Sequence, residues 1–268
     1  VALAVAVSFW PLAGCRTAAP TTPPAVNQEI VPALDAEDTA RADALARYSQ
    51  GLLDEYNDDL PGALSSFQQA VALDPDNEEL NLRVAIGLLQ QKRQEEAVAL
   101  VEDFAAKHPE AQKPLLFLAL VYRASEQSDQ VEKIYRQMIK QAPSKPDIYL
   151  ELAALYIKQG KDDAAVDILE EATGKVDNPL DMLRVLGGLY MKQSADKDSG
   201  KNPRRSRSAA MRTFVRVLEA QTNDVSILFQ MGLLCIQDQH PGKALEYFTR
   251  IEELNPENLQ IRQRLPMS

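Results

Sequence analysis

Residues 146–179 read P-D-I-Y-L-E-L-A-A-L-Y-I-K-Q-G-K-D-D-A-A-V-D-I-L-E-E-A-T-G-K-V-D-N-P, and the fold follows from this stretch. Tyr149, Leu152, Ala153 and Tyr156 keep the i, i+3, i+4, i+7 spacing of an amphipathic helix. Gly160 stops that helix, and Asp162 and Asp163 favour a new N-terminus directly after it. The second helical pattern carries Ala165, Leu169 and Ala172 on one face. Two helices joined by a short turn form the unit, and residues 44 to 258 repeat it.

The copies follow in register. A small residue in the first helix is followed at i+12 by a second small or branched one: Gly51 by Ala63, Ala85 by Ala97, Ala119 by Val131, Ala153 by Ala165, Gly232 by Ala244. The anchors Gly51, Ala85, Ala119 and Ala153 recur at i+34. Four places after each second anchor stands a larger residue: Phe67, Val101, Tyr135, Leu169, Phe214 and Phe248. Proline closes most units, at Pro75, Pro109, Pro143 and Pro256. In one copy the step from Gly187 to Ala210 is i+23 instead of i+12, so this copy carries an insertion of eleven.

A helix-turn-helix period of 34 with these columns resembles the tetratricopeptide repeat (TPR). The resemblance implies an all-α fold, an α-solenoid of about six TPR-like helix-turn-helix units in a right-handed superhelix. The first large column departs from the family. Trp is usual there, whereas Arg47, Asn81, Leu115, Tyr149, Leu183 and Leu228 occupy it here, which weakens single repeats and not the array. Small anchors let two helices approach, and the residue four places on fills the space beside them. One pair cannot bury its apolar face alone, so neighbours must stack.

Before the repeats the chain opens V-A-L-A-V-A-V-S-F-W-P-L-A-G-C. Residues 1–14 have the length and composition of a secretory signal and are too short to span a bilayer, which needs about 20 apolar residues. Leu12-Ala13-Gly14-Cys15 is similar to the bacterial lipobox. That resemblance implies cleavage before Cys15 and acylation of Cys15. The plain alternative is a buried strand with a chance L-A-G-C. No initiating Met or basic segment precedes the run, so the expectation is that the sequence starts inside its signal. Arg16 after the cysteine implies, by the same resemblance, the periplasmic face of the outer membrane in a bacterial cell envelope. Residues 15–37, with Pro20, Pro23, Pro24 and Pro32, read as a tether. The solenoid is expected over 38–258, and 259–268 as the start of a capping helix or a further repeat.

In the TPR family the first helix of each pair lines the concave face. Three offsets from each anchor then give the groove positions Tyr48, Leu52, Leu82, Ile86, Leu89, Leu116, Leu120, Leu150, Ile157, Met191, Phe229, Leu233 and Ile236, with Ala154. Glu55, Arg123, Arg184 and Gly188 interrupt them. A solvent-facing groove this apolar is expected to receive an apolar or amphipathic segment of a protein partner, unless the superhelix is tight and these side chains pack against neighbours, or a segment of the same chain fills the groove. The carboxylate clamp by which some TPR domains grip chaperone tails is not assembled; Lys113 and Arg123 stand apart.

The irregular copy holds an insertion at about 194–206. It is rich in base: Lys197, Lys201, Arg204, Arg205 and Arg207 belong to an expected basic loop. Between Asp196 and Arg212 six basic residues face two acidic ones, in a chain of formal net charge −10. The loop is read as solvated or as a docking element for an acidic partner or an anionic headgroup. Overall acidity and the lack of interleaved aromatics argue against nucleic acid.

No residues assemble for catalysis, and no cofactor, metal or small-molecule substrate is expected. His108 and His240 are in turns of distant repeats, away from ligand spacing. Phosphate loops, nucleophile elbows and H-E-x-x-H are absent. Cys235 reads as a small buried residue. The expected function is a non-catalytic, membrane-anchored scaffold for an envelope complex, of the pilus/secretion or exopolysaccharide-export type. The alternatives are the accessory region of a longer enzyme and a purely structural periplasmic spacer.

Overall fold

A first helix, a three-residue turn, a second helix and a four-residue connection make up one period of the chain, as in Glu78–Gln90 followed by Gln94–Lys107. The computed structural model describes residues 35–196 and 200–254. Within them lie α1 (Ala36–Tyr56), α2 (Leu60–Leu73), α3 (Glu78–Gln90), α4 (Gln94–Lys107), α5 (Gln112–Ala124), α6 (Ser128–Gln141), α7 (Pro146–Lys158), α8 (Asp162–Thr173), α9 (Leu180–Ala195), α10 (Pro203–Ala220), α11 (Val225–Gln237) and α12 (Pro241–Leu254). No strand occurs among the described residues. Each helix packs on the next in chain order, and α3 also meets α5. The result is an α-solenoid of six helical pairs.

The turn within each pair has a fixed backbone device. Asp58, Lys92, Glu126, Gly160 and Gln239 all stand at i+7 from their anchor, and all have φ between 58° and 72°. The left-handed residue ends the first helix and redirects the chain. Only Gly160 adopts it without a Cβ penalty, and it alone is legible in the sequence as a stop. In the fifth unit the corresponding residue, Ser194, is still helical. There α9 runs to 16 residues and α10 to 18, so the insertion is shared between two lengthened helices and their connection.

This corrects two boundaries. The basic stretch is mostly not a loop: Arg204, Arg205 and Arg207 are in α10, because Asn202 caps that helix through the backbone N–H groups of Arg204 and Arg205 and Pro203 supplies its first turn. Lys201 is in the connection, and Lys197 lies outside the described residues. At the front, Asp35 caps α1 by accepting from the Asp38 N–H at 2.8 Å, so helix begins inside the stretch expected as tether. The readings of residues 1–34 and 255–268, Cys15 included, also lie outside the described residues.

The core is built from the repeating columns. Both small anchors of every pair are buried, and Phe67, Val101, Tyr135, Leu169, Phe214 and Phe248 are buried between them. Glycine anchors pair with phenylalanine. A Cβ on Gly51 would strike the Phe67 ring, one on Gly187 the Phe214 ring, and one on Gly232 would lie 2.6 Å from the Phe248 ring. Removing such a ring leaves a cavity worth about 3–5 kcal/mol. One apolar cluster runs from α2 to α9, and separate clusters gather around Phe214 and Phe248 beyond the insertion.

The first large column, which departs from the family, is put to use in two repeats. The buried Asn81 donates from Nδ2 to the carbonyl of Pro75 at 2.9 Å, and the Tyr149 hydroxyl donates to that of Pro143 at 3.1 Å. Each ties its first helix to the proline turn just upstream.

Candidate partner-binding face

The odd-numbered helices carry the expected groove positions, and none of these side chains is fully buried. Leu52, Ile86, Leu116, Leu120 and Ile236 are exposed; Tyr48, Leu82, Leu89, Leu150, Ile157, Met191, Phe229 and Leu233 are partly so. Ile86 and Leu120, at equivalent places on the adjoining α3 and α5, retain 38% and 55% of their surface. Tyr48 and Phe229 lean on the core rings of Phe67 and Phe248, with centroids 5.6 and 5.8 Å apart.

The line is interrupted by ion pairs between successive first helices. Arg83 Nη1 lies 3.5 Å from Glu55 of α1, and Arg123 Nη1 lies 2.9 Å from Glu151 of α7. Arg184 reaches Asp224 at 2.9 Å and Asp181 at 2.8 Å. The groove charges are thus mostly neutralised by neighbours. Lys113, which stands apart in the sequence, pairs with Glu78 at 3.3 Å. Arg83 and Glu151 carry no mark in the sequence that singles them out. The signal that could find them is opposite charge at i and i+28, which joins the end of one first helix to the start of the next.

Between α5 and α7 the apolar line dips. Ala154 stands where Ile86 and Leu120 stand in the repeats before it, and a recess of about 140 Å³ opens there, floored by Val131, Tyr135 and Leu155 and rimmed by Arg123 and Lys158. Gly188, next in the column, has open space where a Cβ would be.

Three tyrosines at one column bind the preceding helix. Tyr122 donates to Glu102 at 2.5 Å, Tyr156 to Glu132 at 2.7 Å, and Tyr190 to Glu170. Burial first, then the acceptor carboxylate, pushes the Tyr122 and Tyr156 hydroxyls up to about 12. They remain protonated donors and structural. Cys235 takes that column in the last unit; it is buried, and burial pushes its thiol pKa up, which disfavours a nucleophilic thiolate. Among the described residues no group of three His, Cys, Asp or Glu is placed to hold a metal, and no helix is long and apolar enough to cross a membrane.

Two tetratricopeptide repeat family models match the chain, one over residues 48–112 and the other over 122–185. Over these two stretches the chain carries tetratricopeptide repeats. No curated protein matches it significantly. Among solved structures it is similar to YrrB, a TPR protein with an unusual peptide-binding site, at 15% identity over 74% of this chain and 96% of that one, with a TM-score of 0.50. It is also similar to a chain of the Naa15/Naa10 complex bound to HypK-THB, at 14% identity over 85% of this chain and 34% of that one, with a TM-score of 0.55. At these identities the likeness concerns the fold of the repeats.

Proposed function

We propose that this TPR chain is a non-catalytic scaffold that holds a protein partner on the face of its odd-numbered helices. The observation that carries the reading is the exposed line Leu52, Ile86 and Leu120, which occupies one column of the repeat on three successive first helices. An apolar line left open to water on a folded chain costs solubility; covering it with an apolar or amphipathic segment of another protein removes that cost. Ion pairs on either side leave the line with little net charge of its own, which suits an apolar contact. A peptide-binding site in YrrB, a chain of the same fold, is in keeping with this use.

The proposal includes a lipid anchor at Cys15 and with it a place in a bacterial envelope assembly, at the periplasmic face of the outer membrane, of the pilus/secretion or exopolysaccharide-export type. This part rests on Leu12-Ala13-Gly14-Cys15 and Arg16. Metabolic labelling with an alkyne fatty acid tests it: label on the wild type and none on Cys15→Ala is expected, and equal labelling refutes it.

The binding face is tested by replacing Leu120 with a photo-crosslinking residue in native membranes, with and without Ile86→Ser and Leu52→Ser. A discrete adduct that vanishes in the double variant, with the helical circular-dichroism signal retained, is expected. Leu52 and Ile86 keep 37% and 38% of their surface exposed, so each serine costs on the order of 1–2 kcal/mol of lost burial, which lowers the melt without unfolding the chain. A double variant that fails to fold would instead assign these residues to packing, and an adduct indifferent to both changes would dismiss the face.

A further inference from the structure

From Gly200 to Leu218 the chain has six basic residues and no acidic one, within a protein of formal net charge −10. Two of the six are engaged. Lys201 Nζ lies 3.0 Å from Asp163, and Arg207 pairs with Asp238. Arg204, Arg205, Arg212 and Arg216 are exposed and have neither a carboxylate nor a side-chain hydrogen bond among the described residues. From α3 to α9 every arginine is treated differently: Arg83, Arg93, Arg123, Arg136 and Arg184 each meet a carboxylate within 3.5 Å. At about 100° per residue the four unpaired guanidinium groups of α10 fall on one third of the helix circumference.

Three of them also line a cleft. Between α8 and α10 a space of about 680 Å³ is walled by Arg204, Arg205 and Arg212 on one side and by Asp163, Asp167 and Glu170 on the other. The equivalent recess between α4 and α6 measures about 310 Å³. The larger one falls where the insertion lengthens α9 and α10. The charges of its lining leave a small positive excess, with Lys201, Arg204, Arg205 and Arg212 facing Asp163, Asp167 and Glu170. Asp163 is taken by Lys201 and by Gln193, whose Nε2 donates to it at 2.8 Å, and Glu170 accepts from Tyr190. On the acidic wall only Asp167 has no ion pair or hydrogen bond, against three such arginines opposite.

We propose that this cleft is a second docking site, on a different face from the apolar line, for an acidic segment of a protein partner whose Asp and Glu side chains are held by Arg204, Arg205 and Arg212. The fork of a guanidinium matches a carboxylate with two parallel hydrogen bonds, and three forks along about two turns of helix match successive carboxylates of one peptide. A flat anionic bilayer fits less well. To reach the arginines it would lie across the carboxylates of α8 on the opposite wall, whereas single side chains of a peptide can enter the recess and reach the arginines.

The test is fluorescence anisotropy of a labelled Glu-rich peptide titrated with the full chain. The wild type is expected to bind, more weakly as salt rises. Arg204→Gln combined with Arg205→Gln and Arg212→Gln is expected to weaken binding roughly tenfold or more, since the loss of a single charge-assisted hydrogen bond is already of that size. All three side chains are exposed, so the helical signal and melt stay as they are. Asp167→Asn, which removes one of the carboxylates on the opposing wall, is expected to tighten binding. Ile86→Ser with Leu120→Ser is expected to leave it unchanged, which separates this site from the apolar face. The proposal is overturned if the wild type does not bind the peptide, if the triple variant binds equally well, or if vesicles containing phosphatidylglycerol bind through the same arginines while the peptide does not.

Discussion

Gly187 and Gly188 are consecutive residues of α9, and the fold gives them opposite constraints. In an exposed helix interior Gly→Ala stabilises by about 0.8–1 kcal/mol, since alanine loses less backbone freedom on folding. At Gly188 nothing stands within 4 Å of the position a Cβ would take, and the full gain is expected. At Gly187 the same methyl would enter the ring of Phe214, which is completely buried. Phe214 cannot swing away, because Ala210, Val217 and Met231 pack in the same cluster. Overpacking of this kind costs about 1–3 kcal/mol, which exceeds or cancels the propensity gain.

Gly188→Ala should therefore raise the thermal midpoint by about 2–4 °C, taking the usual slope for a chain of this size. Gly187→Ala should leave it unchanged or lower it by several degrees. Thermal unfolding by circular dichroism reads both. A Phe214→Leu change, destabilising alone, should be less damaging in the Gly187→Ala background, because the methyl partly fills the space it opens. If both alanine variants shift the midpoint upward together, the close approach of α9 to the Phe214 ring is wrong, and with it the explanation of why glycine anchors pair with phenylalanine.

Two further outcomes follow from the same geometry. Glu126 holds φ at 58° in the turn after α5. A left-handed conformation costs a side-chain-bearing residue about 1–2 kcal/mol, part of which glycine returns through a freer unfolded chain; Glu126→Gly should thus stabilise by about 0.5–1 kcal/mol in urea melts, and a loss of stability would refute the turn assignment. Asp224 is partly desolvated, which pushes its pKa up, but the Ile227 N–H and Arg184 outweigh this and hold it below the ordinary aspartate value. A depressed folded pKa means that the contribution is complete above the unfolded pKa of about 3.9 and is lost as pH falls through the lower folded value. The stability difference between wild type and Asp224→Asn should accordingly be constant near neutral pH and shrink in acid; a difference that grows on acidification would contradict it.

How much of this is legible in sequence depends on whether a feature is periodic. The anchors, the fillers such as Phe67 and Leu169, and the outward positions such as Ile86 and Leu120 recur with the period of the repeat, so spacing alone groups each set on one side of its helix. Gly160 is readable as a stop because glycine advertises a left-handed turn. Lys92, Glu126 and Gln239 make the same turn without any chemical sign of it, held there by the helices on either side. The Arg83–Glu55 and Arg123–Glu151 pairs share a spacing too, but it falls short of the full repeat, and its meaning emerges only once the helices are stacked.

The insertion defeats a reading by composition for a related reason. Gly200 and Pro203 look like breakers in a polar run, yet Pro203 is a favoured first residue of a helix, and Asn202 before it is a cap. Reading Asn202-Pro203 as a start turns a loop of scattered charge into a helix with its arginines aligned. That change carries a functional consequence. Charges on a flexible loop are an unordered cloud, whereas Arg204, Arg205 and Arg212 on α10 have fixed spacing and a shared orientation toward α8. Fixed spacing lowers the entropy lost when a partner's carboxylates are bound. A repeat array broken by an insertion thereby acquires a face that its regular units lack.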